Sequence, residues 1–279
     1  MGNGLRWGLR AVVALSVLIA GAVGARAQAP SPMAEWQYSA GVPLRPTFED
    51  TAPEWQVEVG GAGAVQPLYP GAAKYRFLPG PDIDVRYRDF AFFSVGEGLG
   101  VNLLQDKTYR VGVAMGFDQG READSATRLH GTGDIGLAPT PKLFAEYVLF
   151  PVVLRADVRR ALGGVDGWAG DLSAYMPIYG TKSFFVFVGP TVALVDDTDN
   201  RHEFGISATQ SLRSGLPRYD ATGGLQSAGL GSSMTWLITD HWLVNSGLSA
   251  QRLLDAAAHS PLVQERLQYD AFFTVGYSF

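Results

Sequence analysis

The chain closes on Leu267-Gln-Tyr-Asp-Ala-Phe-Phe-Thr-Val-Gly-Tyr-Ser-Phe279. Odd positions carry Leu267, Tyr269, Ala271, Phe273, Val275, Tyr277 and Phe279, whereas even positions carry Gln268, Asp270, Phe272, Thr274, Gly276 and Ser278. Side chains alternate across a strand, so this segment has one apolar face and one that is mostly polar or small. An apolar face that runs unbroken to a terminal Phe predicts the last strand of a membrane barrel. The last strand of a soluble sandwich is the alternative. On the barrel reading Phe273 and Val275 point outward and Thr274 inward, and Tyr277 and Phe279 form an aromatic terminus. That terminus resembles the C-terminal assembly signal of bacterial outer-membrane barrels.

The first residues agree. Arg6 and Arg10 make a basic start, Ala11 to Val23 is apolar, and Ala25-Arg26-Ala27 fits a small-x-small cleavage site. Residues 1–27 therefore read as a cleavable signal peptide, too short for a confident membrane helix. No later apolar run approaches that length. There is no cysteine, hence no lipoprotein attachment site and no disulfide framework.

Once the first 27 residues are removed, 252 remain, with 19 Lys and Arg against 27 Asp and Glu. An acidic chain without a basic run excludes nucleic acid as the expected partner. Glycine is abundant, 34 of 279 residues, as suits the bends and bulges of barrel strands. Residues 28–53, with Pro30, Pro32, Pro43, Pro46 and Pro53, read as an extended N-terminal segment.

From residue 54 to 279 the alternation recurs. Trp55, Val57 and Val59 share a face, as do Ile83, Val85 and Tyr87. Tyr109 to Phe117, Leu143 to Leu149 and Val152 to Val158 repeat the pattern. So do Trp168 to Met176, Ala228 to Ile238 and Trp242 to Ala250, while Phe184 to Val195 is apolar on both faces. The prediction is an all-β, closed, up-and-down antiparallel transmembrane barrel of about twelve strands, within a range of about 10–14. Strand-end aromatics Trp55, Tyr87, Tyr109, Trp168, Trp236, Trp242 and Tyr277 suit interfacial girdles. Phe150-Pro151 must then serve as a very tight turn.

The second face carries Glu58, Arg86, Arg88, Arg110, Glu146, Arg155 and Asp157. In a membrane barrel that face is the lumen. These charges are expected to pair and narrow it, or alternatively to select a solute. No catalytic cluster is visible: the four histidines, His130, His202, His241 and His259, fall in loops or at strand ends, and there is no Gly-x-Ser-x-Gly or His-Glu-x-x-His string. Asp196-Asp197-Thr198-Asp199-Asn200 is acidic but lacks the mid-loop Gly and terminal Glu of a calcium loop, and reads as a solvated turn rather than a metal site. No enzyme activity, cofactor or metal is expected.

Several strings resemble one family. They are Gly63-Ala-Val-Gln-Pro67-Leu-Tyr69-Pro-Gly71, Leu129-His-Gly-Thr-Gly-Asp-Ile135, Phe204-Gly-Ile-Ser207 with Ser214-Gly-Leu-Pro-Arg-Tyr219, and Arg252-Leu-Leu-Asp-Ala256 with Ser260-Pro261. Their order and the terminal Tyr-x-Phe are similar to the MltA-interacting protein (MipA)/OmpV family of outer-membrane proteins. Glu203 departs from the pattern, which favours an aromatic there. The resemblance implies a barrel in the bacterial outer membrane, surrounded by outer-membrane lipid. It also implies a scaffold role that bridges a lytic transglycosylase and a murein synthase. A small channel or an adhesin-like surface protein is the alternative.

Overall fold

A computed structural model of the chain describes residues 54–88 and 90–279. The expected signal peptide and the segment 28–53 lie outside the described residues.

Strands form where the alternation is strongest. In chain order they are β1 (Trp55–Pro67), β2 (Tyr75–Tyr87), β3 (Ala91–Ser94), β4 (Gly98–Gln105), β5 (Tyr109–Asp118) and β6 (Ala138–Leu149). These are followed by β7 (Val152–Arg160), β8 (Trp168–Gly180), β9 (Phe184–Val195), β10 (Gly224–Leu237), β11 (Trp242–Leu253) and β12 (Leu267–Ser278). Each pairs antiparallel with its chain neighbour, and β1 pairs with β12 from Glu58↔Ser278 to Val65↔Ala271, closing the barrel. The expected fold is the one observed, with twelve strands among the described residues.

The final strand has the expected register. Phe273 and Val275 are exposed on the outer wall, and Thr274, at 1% exposure, is buried inside. The outer wall is apolar around the circumference: Leu99, Leu143, Leu154, Leu172, Leu230, Leu248 and Phe273 are all exposed there. The inner wall is lined with Arg, Glu, Asp, Ser and Thr. This inverts a soluble core and suits a wall that meets lipid.

The two ends differ. One carries tight turns, among them Phe150-Pro151 and the residues between β10 and β11. Trp55 and Tyr87 pair there with ring centroids 4.7 Å apart, and Tyr277 packs on His241, Trp242 and Phe279. Trp168 belongs to the opposite end, beside Val195, because β8 runs toward the turns. That opposite end carries the long connections, which fold into a lid. The lid contains α1 (Asp197–Phe204), α2 (Ala208–Ser214), α3 (Asp255–Ala258) and two short 3-10 turns, Ala123–Ser125 and Thr127–Leu129.

An irregularity lies at β3, which is only four residues long. The β3–β4 hairpin pairs with β2 only from Tyr87↔Ala91 to Asp84↔Ser94 and turns back partway up the wall. Alternation did not reveal this hairpin. Its first arm is too short to show a period, and in its second arm the register shifts between Asn102 and Leu104.

The register assigns Leu248, at mid-strand and 63% exposed, to the lipid face. Leu248→Arg should cost about 2–4 kcal/mol of insertion free energy, as a cation does near the bilayer midplane. Leu248→Val should be close to neutral. The heat-modifiable fraction on gels after refolding into vesicles measures both.

Candidate functional site

The lumen is crossed by charge at the level of the short hairpin. Its turn sends Glu97 inward, to 2% exposure. One Glu97 oxygen accepts from Arg86 of β2 at 2.9 Å, and the other lies 3.6 Å from both Arg110 of β5 and Arg155 of β7. Glu146 of β6 completes the group, 3.0 Å from Arg110 and 2.8 Å from Arg155. Arg86 also makes a two-pronged bond to Asp84, at 2.9 and 2.8 Å. In a ring of twelve strands β2 and β7 lie nearly opposite one another, so Glu97 connects facing walls.

Phe92 and Phe144 are buried among these cations. Arg110 lies 5.1 Å from the Phe144 ring centre and Arg86 5.5 Å from that of Phe92. A ring face offers a cation partial compensation for lost water. Closer to the turns, Val153, Tyr175 and Phe187 form a buried apolar cluster. On that side the turn half of the lumen is therefore filled.

The predicted lumen residues are placed as follows. Arg86, Arg110, Glu146 and Arg155 converge on Glu97. Asp157 faces inward and binds Arg159 at 2.9 Å, while Arg159 also bonds to Asp171. Glu58 is half-buried near the turn end, against the Gly276 backbone. Arg88 is outside the lumen. β2 ends at Tyr87, Arg88 turns with a positive φ of 42°, and its exposed side chain binds Glu54 at 2.7 Å. Sequence reading missed Glu97, because a carboxylate in a Gly-flanked turn gives no periodic signal. The terminal residues Tyr277 and Phe279 pack ring to ring at 5.0 Å.

Above the charge crossing lies a chamber of about 210 Å³ between barrel and lid. Gln66, Asp118, Arg159, Asp199, Glu203, Gln251 and Asp270 are among its walls. The acidic run read as a solvated turn is the start of α1. Asp196 caps it by accepting from the Asp199 amide at 2.8 Å, and Asp199 turns toward the chamber. Burial, with the neighbouring charges of Glu203, Asp118 and Asp196, pushes the Asp199 carboxyl up to about 7, although Arg159 opposes this. Burial raises Glu203 as well, against the pull of Arg121.

The lid is built from the strings that carry the family resemblance. Tyr69 donates to the Leu262 carbonyl at 3.0 Å, Ser260 to that of Phe204 at 2.6 Å, and Tyr219 to that of Ala256 at 2.7 Å. Ser207 and Gln210 form a reciprocal cap on α2, which ends at Gly215 in the left-handed region. Tyr69, Leu129, Ile206 and Leu262 make one apolar core, and Phe204, Ala221, Leu253 and Ala257 another. His259 bonds to its own helix through the Asp255 carbonyl, so His259 and Ser260 do not act together. Among the described residues no group of three His, Asp or Glu side chains is placed to hold a metal.

Glu97→Ala would leave three arginines facing one another with less countercharge. Loss of one partner from a buried charge group costs about 3–5 kcal/mol, whereas the exposed Arg88–Glu54 pair is worth about 0–1 kcal/mol. In urea titrations of the vesicle-inserted protein, Glu97→Ala should shift the midpoint strongly and Arg88→Ala hardly at all. Asp199 gives a second expectation. Its folded pKa lies above the unfolded value of about 4, so the folded lid binds this proton more tightly. Lid stability is then greatest at acid pH and falls as pH rises from about 4 to about 7. Amide protection in α1 and α2, corrected for intrinsic exchange, should be greater at about pH 5 than at about pH 8. Asp199→Asn should remove most of that difference.

Several solved structures are similar to the chain at low identity. An outer-membrane channel from Pseudomonas putida F1 is 10% identical, with a TM-score of 0.41 over 83% of this chain and 98% of that one. The NanC porin is 10% identical, with a TM-score of 0.39 over 81% of this chain and 100% of that one. The N-terminal β-barrel domain of Pseudomonas aeruginosa OprF is 18% identical, with a TM-score of 0.27 over 51% of this chain and 88% of that domain. No curated protein matches the sequence. The family described as MltA-interacting protein MipA matches residues 59–279, the whole barrel and its lid apart from the first residues of β1, and the chain belongs to that family.

Proposed function

We propose that this protein is a closed outer-membrane barrel that serves as an attachment scaffold for periplasmic enzymes of murein turnover, and that it is neither a pore nor an enzyme. The observation that carries this reading is the bridging of facing walls by Glu97 beneath a folded lid. A barrel so filled offers its ends to partners and has little lumen to offer a solute. The lumen charges, in this reading, are structural.

An even number of strands places Trp55 and Phe279 at the same end, with the tight turns. The chain preceding residue 54 therefore joins the barrel there. If the long connections face outward from the cell, that end faces the periplasm. Segment 28–53, rich in proline, is then on the side where murein enzymes work. The family description, an MltA-interacting protein, supports a lytic transglycosylase as one partner, and a murein synthase is the second. The terminal Tyr277 and Phe279 serve assembly.

Purified protein in planar bilayers should show no steady porin-sized conductance. A large steady conductance would favour the channel reading. Lytic transglycosylase and murein synthase should be retained by the full mature chain in pull-down. They should be retained much less by a variant lacking residues 30–50 whose barrel still shows heat-modifiable mobility. Equal retention by both would move the partner site off that segment.

A further inference from the structure

The barrel wall is incomplete on one side. β3 and β4 stop partway up the wall, so among the described residues β2 from Asp82 to Tyr75 and β5 from Gly116 to Asp118 have no strand between them. Neighbouring strands lie about 4.8 Å apart, so β2 and β5, three spacings apart, flank a gap roughly 14 Å wide if the ring keeps its spacing. The gap is closed below by the turn at residues 95–97. Above it, the connection that contains Leu129 packs on Tyr69 and Ala72 of the β1–β2 loop.

The free edge of β2 has lost donors on the side where nothing pairs. In an antiparallel strand, a residue's N–H and C=O point to the same neighbour, and successive residues alternate. The Ile83 carbonyl accepts from Val95 at 3.1 Å, so odd residues of β2 point their peptide groups toward β3. Pro79 and Pro81 share that parity. Two of the amide groups that would face the gap are therefore absent, which deters another strand from adding to this edge. Gly80, between them, faces inward, and a side chain there would meet nothing within 4 Å. Gly116, the inward residue on the opposite post, would meet only the Thr140 carbonyl at 3.9 Å. Phe77, Val95, Leu99, Met115 and Phe117 are exposed around the rim, and this apolar rim is continuous with the lipid-facing belt. Asp118, at the top of β5, lines the chamber under the lid.

We infer that this gap is a lateral window from the bilayer into the chamber, and that it is occupied by a hydrocarbon chain of a membrane lipid. The continuity of its apolar rim with the lipid belt selects the occupant. The two prolines disfavour a protein strand, and the two glycines place no side chain of their own in the passage. A second copy of this chain, or its own N-terminal residues, would instead cover the gap with polypeptide.

The native chain has no cysteine, so single spin labels can be placed cleanly. Gly80→Cys and Gly116→Cys report from inside the window, and Thr209→Cys, exposed on α2 of the lid, from water. Folded proteins, verified by heat-modifiable mobility, are measured in phosphatidylethanolamine and phosphatidylglycerol vesicles. The collision ratio of oxygen, which concentrates in hydrocarbon, to a water-soluble nickel chelate should be several-fold higher at Gly80→Cys and Gly116→Cys than at Thr209→Cys. Labels at both window positions that respond like that at Thr209→Cys would overturn the inference, because the window would then hold water. Shielding from both reagents would also overturn it, because polypeptide would then fill the gap. Having both posts labelled keeps the test informative if one variant fails to insert.

Discussion

Peptide groups inside a bilayer have no water to bond with, so each must find a partner within the protein. That constraint governs this chain. It forces the first and last strands together, Val59 opposite Tyr277 and Gly63 opposite Phe273, because an open sheet would leave two unpaired edges in hydrocarbon. Glycine permits the close approach at this seam: a side chain at Gly60 would run into the Val275 carbonyl. Where the described residues leave the β2 edge without a neighbour, proline stands in place of two donors, at positions 79 and 81, and the carbonyls of that parity remain on the edge. An absent N–H needs no partner.

The same dry environment explains the lumen. Side chains excluded from lipid must face inward, and those inside are largely removed from water. Arginines there need carboxylates and ring faces close by. Glu97 meets that need for three arginines at once. Its position depends on how far the β3–β4 hairpin climbs, so the shortness of β3 has two consequences. It carries a carboxylate to the middle of the lumen, and it leaves β2 and β5 without neighbours above. A longer hairpin would complete the wall and remove the charge crossing.

The lid obeys ordinary soluble-protein rules. It has side-chain caps at the starts of α1 and α2, two small apolar cores and carbonyls that accept from Tyr69, Tyr219 and Ser260. Glu203 and Asp199 are its costly residues, because both place a carboxyl where water is scarce.

Alternation by itself determined the barrel, its closure at an aromatic terminus, the outer and inner assignments of the long strands and the identity of most lumen charges. Period two is a local property, and it survives in any strand of several residues. Arg88 was misread because alternation does not state where a strand stops. Glu97, the window and the chamber were decided only by the tertiary structure. Glu97 acts through residues on β2, β5, β6 and β7 that no local pattern connects. The window exists because one strand is shorter than the wall it joins. The chamber is bounded by loops whose distant strings meet only when the barrel brings their ends together. The prolines at 79 and 81 were legible as letters, but their meaning required knowing which neighbour their missing amides would have faced.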